Sequence, residues 1–127
     1  MKILIIGGCG FFGWHLINHL KTKHKIVVLD NYERKYDKKF KVAISKNIKI
    51  INHDVSKKIN LKDRDFDIIY NLAALIGVKN VIKRPYEVLV QNFLTQKNAL
   101  EFAQKQKKLA RFIFSSTSEV YDGSLKN

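Results

Sequence analysis

The sequence predicts an α/β domain, an open parallel sheet of about five strands in the order 3-2-1-4-5 with flanking helices. Three observations carry this expectation. Short unbroken apolar runs alternate with longer amphipathic stretches, as in strands buried on both faces and joined by helical crossovers. The first run leads at once into a glycine-rich turn, Gly7-Gly8-Cys9-Gly10-Phe11-Phe12-Gly13. Crossovers between parallel strands are right-handed, which leaves few ways to order the strands.

Taken in order, Lys2–Ile6 reads as the first strand and Phe12–Lys21 as the helix after it, with Leu16, Ile17 and Leu20 on its inner face. Ile26–Asp30 is the second strand, and the charged stretch Asn31–Lys46 reads as a loop with a short helix. Ile48–Asn52 is the third strand, and Ser56–Leu61 is expected to carry a helical turn. Asp67–Leu72 is the fourth strand. The stretch Ala73–Arg84 ends at Pro85, which disfavours helix at the residue before it. Tyr86–Lys107 then reads as one long helix with Val90, Phe93, Leu94, Ala99, Leu100 and Phe102 among its apolar positions. Arg111–Ser116, with Phe112-Ile113-Phe114 inside it, is the fifth strand, and Thr117–Asn127 is polar with no further element expected.

The chain's 127 residues suit one domain, and an apolar fraction of 46% excludes general disorder. No stretch approaches the roughly 18 apolar residues of a membrane span, so no membrane partner is expected. The apolar N-terminus is too short for a signal peptide and runs into a glycine loop instead of a cleavage site. A single cysteine, Cys9, excludes an intrachain disulfide and fits a reducing compartment, so a cytoplasmic location is expected. The net charge of +13 comes mostly from lysines interleaved with Ile and Asn along the whole chain. That pattern argues against a specific nucleic-acid partner, which concentrates Arg and Lys on one face.

The glycine turn carries the chemistry. Gly7 allows the tight turn after the strand, Gly10 lets backbone approach a pyrophosphate, and Gly13 allows close helix–sheet packing. The helix N-terminus adds free N–H groups and the positive end of its dipole. Phe11 and Phe12 lie in the same turn and are expected to touch the cofactor. Asp30, 17 residues beyond Gly13, ends the second strand. A carboxylate there accepts from the ribose hydroxyls and repels a 2′-phosphate, so the chain is read as an NAD-binding Rossmann domain preferring NAD over NADP. Arg34 and Lys35 just downstream work against that preference. Asp54 and Val55 follow the third strand, where the carboxylate can accept from the adenine amino group and the valine pack on the ring. The competing reading of Asp54 is a helix N-cap.

With these residues in place, the sequence resembles the extended short-chain dehydrogenase/reductase family, the NAD-dependent epimerases and dehydratases of nucleotide sugars. The Gly-x-x-Gly-x-x-Gly spacing and the pair Asp30-Asn31 match that family. Asn71-Leu72-Ala73-Ala74 is similar to its His-Leu-Ala-Ala segment, with Asn71 in place of His. Asn92 matches the Asn of its Asn-Val-x-Gly-Thr segment, with Thr95-Gln96 in place of Gly-Thr. Phe112-Ile113-Phe114-Ser115-Ser116-Thr117-Ser118-Glu119-Val120-Tyr121 resembles its fifth-strand segment, with Asp122 where Gly is usual. The resemblance implies that Leu72, Ala73, Ala74, Asn92 and Ser115 border the cofactor. It also implies that Thr117 bonds the reacting sugar hydroxyl and that Glu119 takes part in proton transfer.

One part of the family pattern is missing. Its catalytic base is a Tyr-x-x-x-Lys pair, in which the lysine lowers the tyrosine pKa. Tyr32, Tyr36, Tyr70, Tyr86 and Tyr121 are followed four positions later by Tyr36, Phe40, Ala74, Val90 and Leu125. The expectation is therefore an incomplete domain without its substrate lobe, inactive on a nucleotide sugar by itself. The open edge of the fifth strand leaves three outcomes: a homodimer, complementation by a separately encoded C-terminal half, or a relic. A non-catalytic dinucleotide sensor or interaction module is the alternative function.

Other residues carry blander readings. His15 and His19 are four apart on a helix but have no third ligand near them, so no metal site is expected. Cys9 fits a tight loop, Trp14 packs a helix, and Lys35–Lys46 is a solvated stretch.

Overall fold

The computed structural model describes residues 1–33 and 46–121, apart from the side chains of Ser118 and Glu119. Five parallel strands form one sheet: β1 (Lys2–Ile6), β2 (Lys25–Asp30), β3 (Ile48–Asn52), β4 (Ile68–Asn71) and β5 (Arg111–Phe114). Their order is β3-β2-β1-β4-β5, as the sequence predicts. The chain winds outward from β1 to β3, then crosses back to β4 and continues to β5. The crevice between the two halves opens above the C-terminal ends of β1 and β4, where sheets of this topology bind ligands.

Successive side chains of β1 alternate between two apolar layers. Ile3 and Ile5 join Ile26, Val28 and Ile48 on one face, beneath Ile17 of α1 (Phe11–Leu20). Leu4 and Ile6 join Val27, Leu29 and Ile69 on the other, beneath Ala99, Phe102 and Ala103 of α3 (Pro85–Ala103). Phe66, with none of its surface exposed, closes that second layer beside Phe102 at a ring separation of 6.0 Å. Both faces of the sheet are thus covered, which is why these strands read as unbroken apolar runs.

The structure moves several boundaries. α1 begins at Phe11, one residue early, because Gly10 supplies the carbonyl that Trp14 N–H bonds at 2.9 Å. α3 starts at Pro85, whose missing N–H costs nothing in a first turn. It ends at Ala103, short of Lys107, because the Gln106 side chain folds back and its Nε2 donates to Phe102 O at 2.9 Å. β4 begins at Ile68, one residue after Asp67, whose carboxylate accepts the Lys2 N–H at 2.6 Å while its own N–H donates to Lys2 O at 2.8 Å. β5 stops at Phe114, and a last bond from Ser115 N to Asn71 O, 3.2 Å, closes the ladder.

Ala73–Arg84 contains a short helix, α2 (Val78–Lys83), entered through Gly77 at φ +112°. Ser56–Leu61 forms no helix: a single turn from Asp54 to Lys57 is followed by irregular chain that buries Ile59 and Leu61. A 3-10 turn at Ser118–Tyr121 replaces the structureless segment expected there. The loop and short helix expected within Asn31–Lys46 fall largely outside the described residues, as do Arg34, Lys35 and Asp122. No helix among the described residues is long and apolar enough to cross a membrane.

Candidate functional site

A cleft of about 420 Å³ lies above the C-terminal ends of the strands. The glycine turn forms its floor. Gly7 follows β1 with φ +76°, a left-handed conformation that side chains resist. Its N–H donates to Leu29 O at 2.8 Å, tying the turn to β2. A β-carbon on Gly7 would lie 2.7 Å from Ala73 N, so this glycine also lets the β4 connection close over the turn. Gly13 has a different reason: a β-carbon there would collide with Gly8 Cα and Gly8 O, where α1 packs on the turn.

Gly10 differs from both. It has ordinary backbone angles, and a β-carbon on it would find only Gly7 O, at 3.6 Å. Nothing among the described residues requires its missing side chain. The space it leaves belongs to the cleft, directly before α1. No side chain caps α1, and its first turn holds no acidic residue. The positive end of the helix dipole therefore faces the cleft, which suits an anion.

Carboxylates gather at one end of the cleft. Asp30 is 8% exposed, and its two oxygens are shared between elements. Oδ2 accepts the Cys9 N–H of the glycine turn at 2.9 Å, and Oδ1 accepts the Tyr32 N–H at 2.7 Å. Asp30 thus acts as a turn residue and still lines the cleft, with lone pairs left for hydroxyl donors. Tyr32 takes φ +60°, and its ring tucks against the apolar layer under α1. Burial pushes the Tyr32 phenol pKa up, and the neighbouring Cys9 and Asp30 charges add to this. Asp54 lines the same end beside Val55. Its Oδ1 accepts Ser56 N–H at 3.0 Å and Ser56 Oγ–H at 2.7 Å, so Asp54 shapes a turn, with no helix after it to cap, while it lines the cleft.

The opposite wall is the connection after β4. Leu72, Ala73 and Ala74 line it, joined by Leu75 and Ile76, with Ser115 beyond them. Asn71 does not reach the cleft: it is 1% exposed and its Nδ2 donates to Gln96 Oε1 at 2.7 Å. Asn92 also stands behind the wall. Its Oδ1 accepts Leu75 N–H at 2.7 Å and its Nδ2 donates to Leu75 O at 3.0 Å. The amide copies a backbone pairing and fixes the wall, so Asn92 positions the cleft without lining it. Removing it in Asn92→Ala leaves both Leu75 groups unpaired at a cost of about 1–3 kcal/mol. The expected outcome is a lower melting temperature together with weaker dinucleotide binding, read by calorimetry, and an unchanged pair of values would contradict the clamp.

The structure thus brings Gly7, Gly10, Phe11, Phe12, Gly13, Asp30, Asn31, Asp54, Val55, Leu72, Ala73, Ala74 and Ser115 to one cleft. Thr117 is exposed, three residues past the end of β5, and does not line it. The Glu119 side chain lies outside the described residues. Seven lining residues were missed by sequence reasoning: Leu29 at the end of β2, Glu33 and His53 at the acidic end, and Leu75, Ile76, Gln91 and Thr95 on the opposite wall. Gln91 and Thr95 are one helical turn apart on α3 and continue the buried stripe of Ala99 and Phe102, a spacing that marks the inner face of a helix.

Fold and cleft together define a doubly wound α/β domain of the nucleotide-binding class. The model of the NAD dependent epimerase/dehydratase family matches residues 3–126, and the chain belongs to that family. A UDP-N-acetyl-alpha-D-glucosaminuronate decarboxylase of Bacillus cytotoxicus is 37% identical over 123 residues, covering 94% of this chain and 37% of that protein. UDP-glucuronic acid decarboxylase 1 of Danio rerio is 34% identical over 122 residues, covering 94% of this chain and 28% of its own length. The UDP-Glc/GlcNAc 4-epimerase of Campylobacter jejuni superposes with a TM-score of 0.73 at 32% identity, over 94% of this chain and 38% of that one. The UDP-glucose 4-epimerase of Bifidobacterium longum, solved in complex with NAD+ and UDP, shares the fold with a TM-score of 0.78 at 23% identity, over 95% and 38% of the two chains. The chain spans well under half the length of these relatives.

Proposed function

We propose that this chain is the NAD-binding portion of a protein that acts on a nucleotide sugar, preferring NAD over NADP. One observation supports it above the others. Gly10 opens the cleft under the uncapped N-terminus of α1, with the Asp30 carboxylate at its edge. Those groups suit, in turn, a pyrophosphate and a ribose diol, and the slot by Val55 suits an adenine ring. NAD, when bound, supplies the hydride acceptor. The chain's own residues bind it, orient it along the wall from Leu72 to Ile76, and keep that wall fixed through Asn92. Thr117 and Glu119 are the sugar-handling residues that the chain contributes under this reading. A cytoplasmic setting belongs to the same reading, with the buried Cys9 thiol inside the cradle.

The base that would remove a sugar hydroxyl proton is a Tyr-x-x-x-Lys pair, and these residues contain none. The proposal therefore assigns it to polypeptide beyond them, in a longer product or a separate chain. The exposed side chains of Leu89, Phe93 and Phe114 along α3 and β5 offer apolar surface for such polypeptide or for a second copy. The test is turnover of UDP-glucuronic acid and UDP-N-acetylglucosamine with NAD, by product chromatography. The 127 residues alone are expected to give no product, and a family polypeptide carrying the Tyr-Lys pair is expected to restore it. Turnover by the 127 residues alone, abolished in Gly10→Val, would contradict the assignment of the base.

A further inference from the structure

We infer that Glu33 is a second determinant of cofactor choice, a carboxylate that excludes the 2′-phosphate of NADP alongside Asp30. The inference rests on the proposed dinucleotide reading of the cleft and adds a residue to it.

Three features set Glu33 in place. The chain leaves β2 at Asp30, whose Oδ1 holds the Tyr32 N–H at 2.7 Å. Tyr32 adopts φ +60°, a backbone state that an aromatic residue enters only when its surroundings enforce it. Here the Asp30 bond and the ring's packing under α1 do so, and the turn carries the next residue back over the cleft. Asn31 then locks that residue: its Oδ1 accepts the Glu33 N–H at 3.1 Å, and its Nδ2 donates to Glu33 Oε2 at 3.4 Å. Glu33 is exposed, yet it lines the cleft together with Asp30 and Asn31. A turn of this kind needs no glutamate, since the main chain supplies its stronger bond and the side-chain contact is long.

The charge is what remains to be explained. A net charge of +13 favours any anion, and NADP carries more negative charge than NAD. Arg34 and Lys35 follow directly in sequence, the residue types that hold a 2′-phosphate in NADP-dependent domains. Asp30 is committed to two backbone N–H groups, which draw off part of its negative potential. Among the described residues, Glu33 Oε2 accepts from the neutral Asn31 amide, and the carboxylate stands at the cleft's edge. A phosphate on the 2′-oxygen would meet both carboxylates, and a ribose diol would meet two acceptors.

The test compares NAD and NADP binding by calorimetry in the full chain and in Glu33→Gln, which keeps the shape and the amide acceptor. The expected result is NADP affinity raised about five- to tenfold with NAD affinity changed less than about twofold, a gap that narrows in high salt because the charges are exposed. A residue that merely shapes the turn would leave the NAD-to-NADP ratio where it was, and that result would overturn the inference. Equal changes in both affinities would overturn it too. If the unaltered chain bound neither dinucleotide, the reading of the cleft itself would fall, and the inference with it. NAD binding with an unmoved ratio would remove Glu33 alone.

Discussion

Gly10→Val is expected to leave the chain folded while weakening NAD binding by about a hundredfold. The two halves of that expectation have separate causes. Gly10 sits in extended backbone, at φ −77° and ψ 177°, which valine adopts readily. Its β-carbon would make one ordinary contact, 3.6 Å from Gly7 O. Gly10 lines the cleft, and the branched methyls would reach into it in front of the α1 N-terminus. Forcing extra methyl groups against a bound pyrophosphate costs up to about 3 kcal/mol, and each 1.4 kcal/mol is tenfold in affinity. Thermal melting and calorimetry on the same sample check both halves. An unchanged dissociation constant would show that no ligand backbone passes Gly10.

Gly7→Ala is expected to fail in the opposite manner, through stability. Two costs add at this position. The left-handed backbone at φ +76° penalises any β-carbon by about 1–2 kcal/mol. The new methyl would also lie 2.7 Å from Ala73 N and 2.8 Å from Ala73 Cα, both main-chain atoms that no rotamer change can move. Overpacking of this sort costs a further ~1–3 kcal/mol. A loss of about 2–5 kcal/mol removes a large share of the ~5–15 kcal/mol that holds a domain together. Urea unfolding should show a much lower midpoint at an unchanged slope. A midpoint within experimental scatter of the unaltered chain would mean that the β4 connection does not press on the glycine turn.

The contrast between two glycines three residues apart explains what the sequence discloses and what it hides. Strand order and the glycine turn are legible because unbroken apolar runs and missing side chains are backbone requirements, written locally. That Gly7 serves the protein and Gly10 serves the cleft is not written locally. It depends on Ala73, which is far away in sequence and adjacent in space. The family resemblance puts Asn92 beside the cofactor, and an asparagine on a helix looks the same in sequence whether it bonds a ligand or a backbone. Only the two bonds to Leu75 distinguish the cases. Glu33 and His53 lay outside any periodic segment, so no pattern pointed to them. The end of α3 moves where a side chain takes a helix carbonyl, as Gln106 Nε2 does at Phe102 O.

Calorimetric titration of the purified chain with NAD tests the central claim most directly. The account predicts saturable binding of one NAD per chain, stronger than that of NADP. A chain that melts cooperatively, and so is folded, yet takes up no NAD would contradict it, leaving the glycine turn as packing alone.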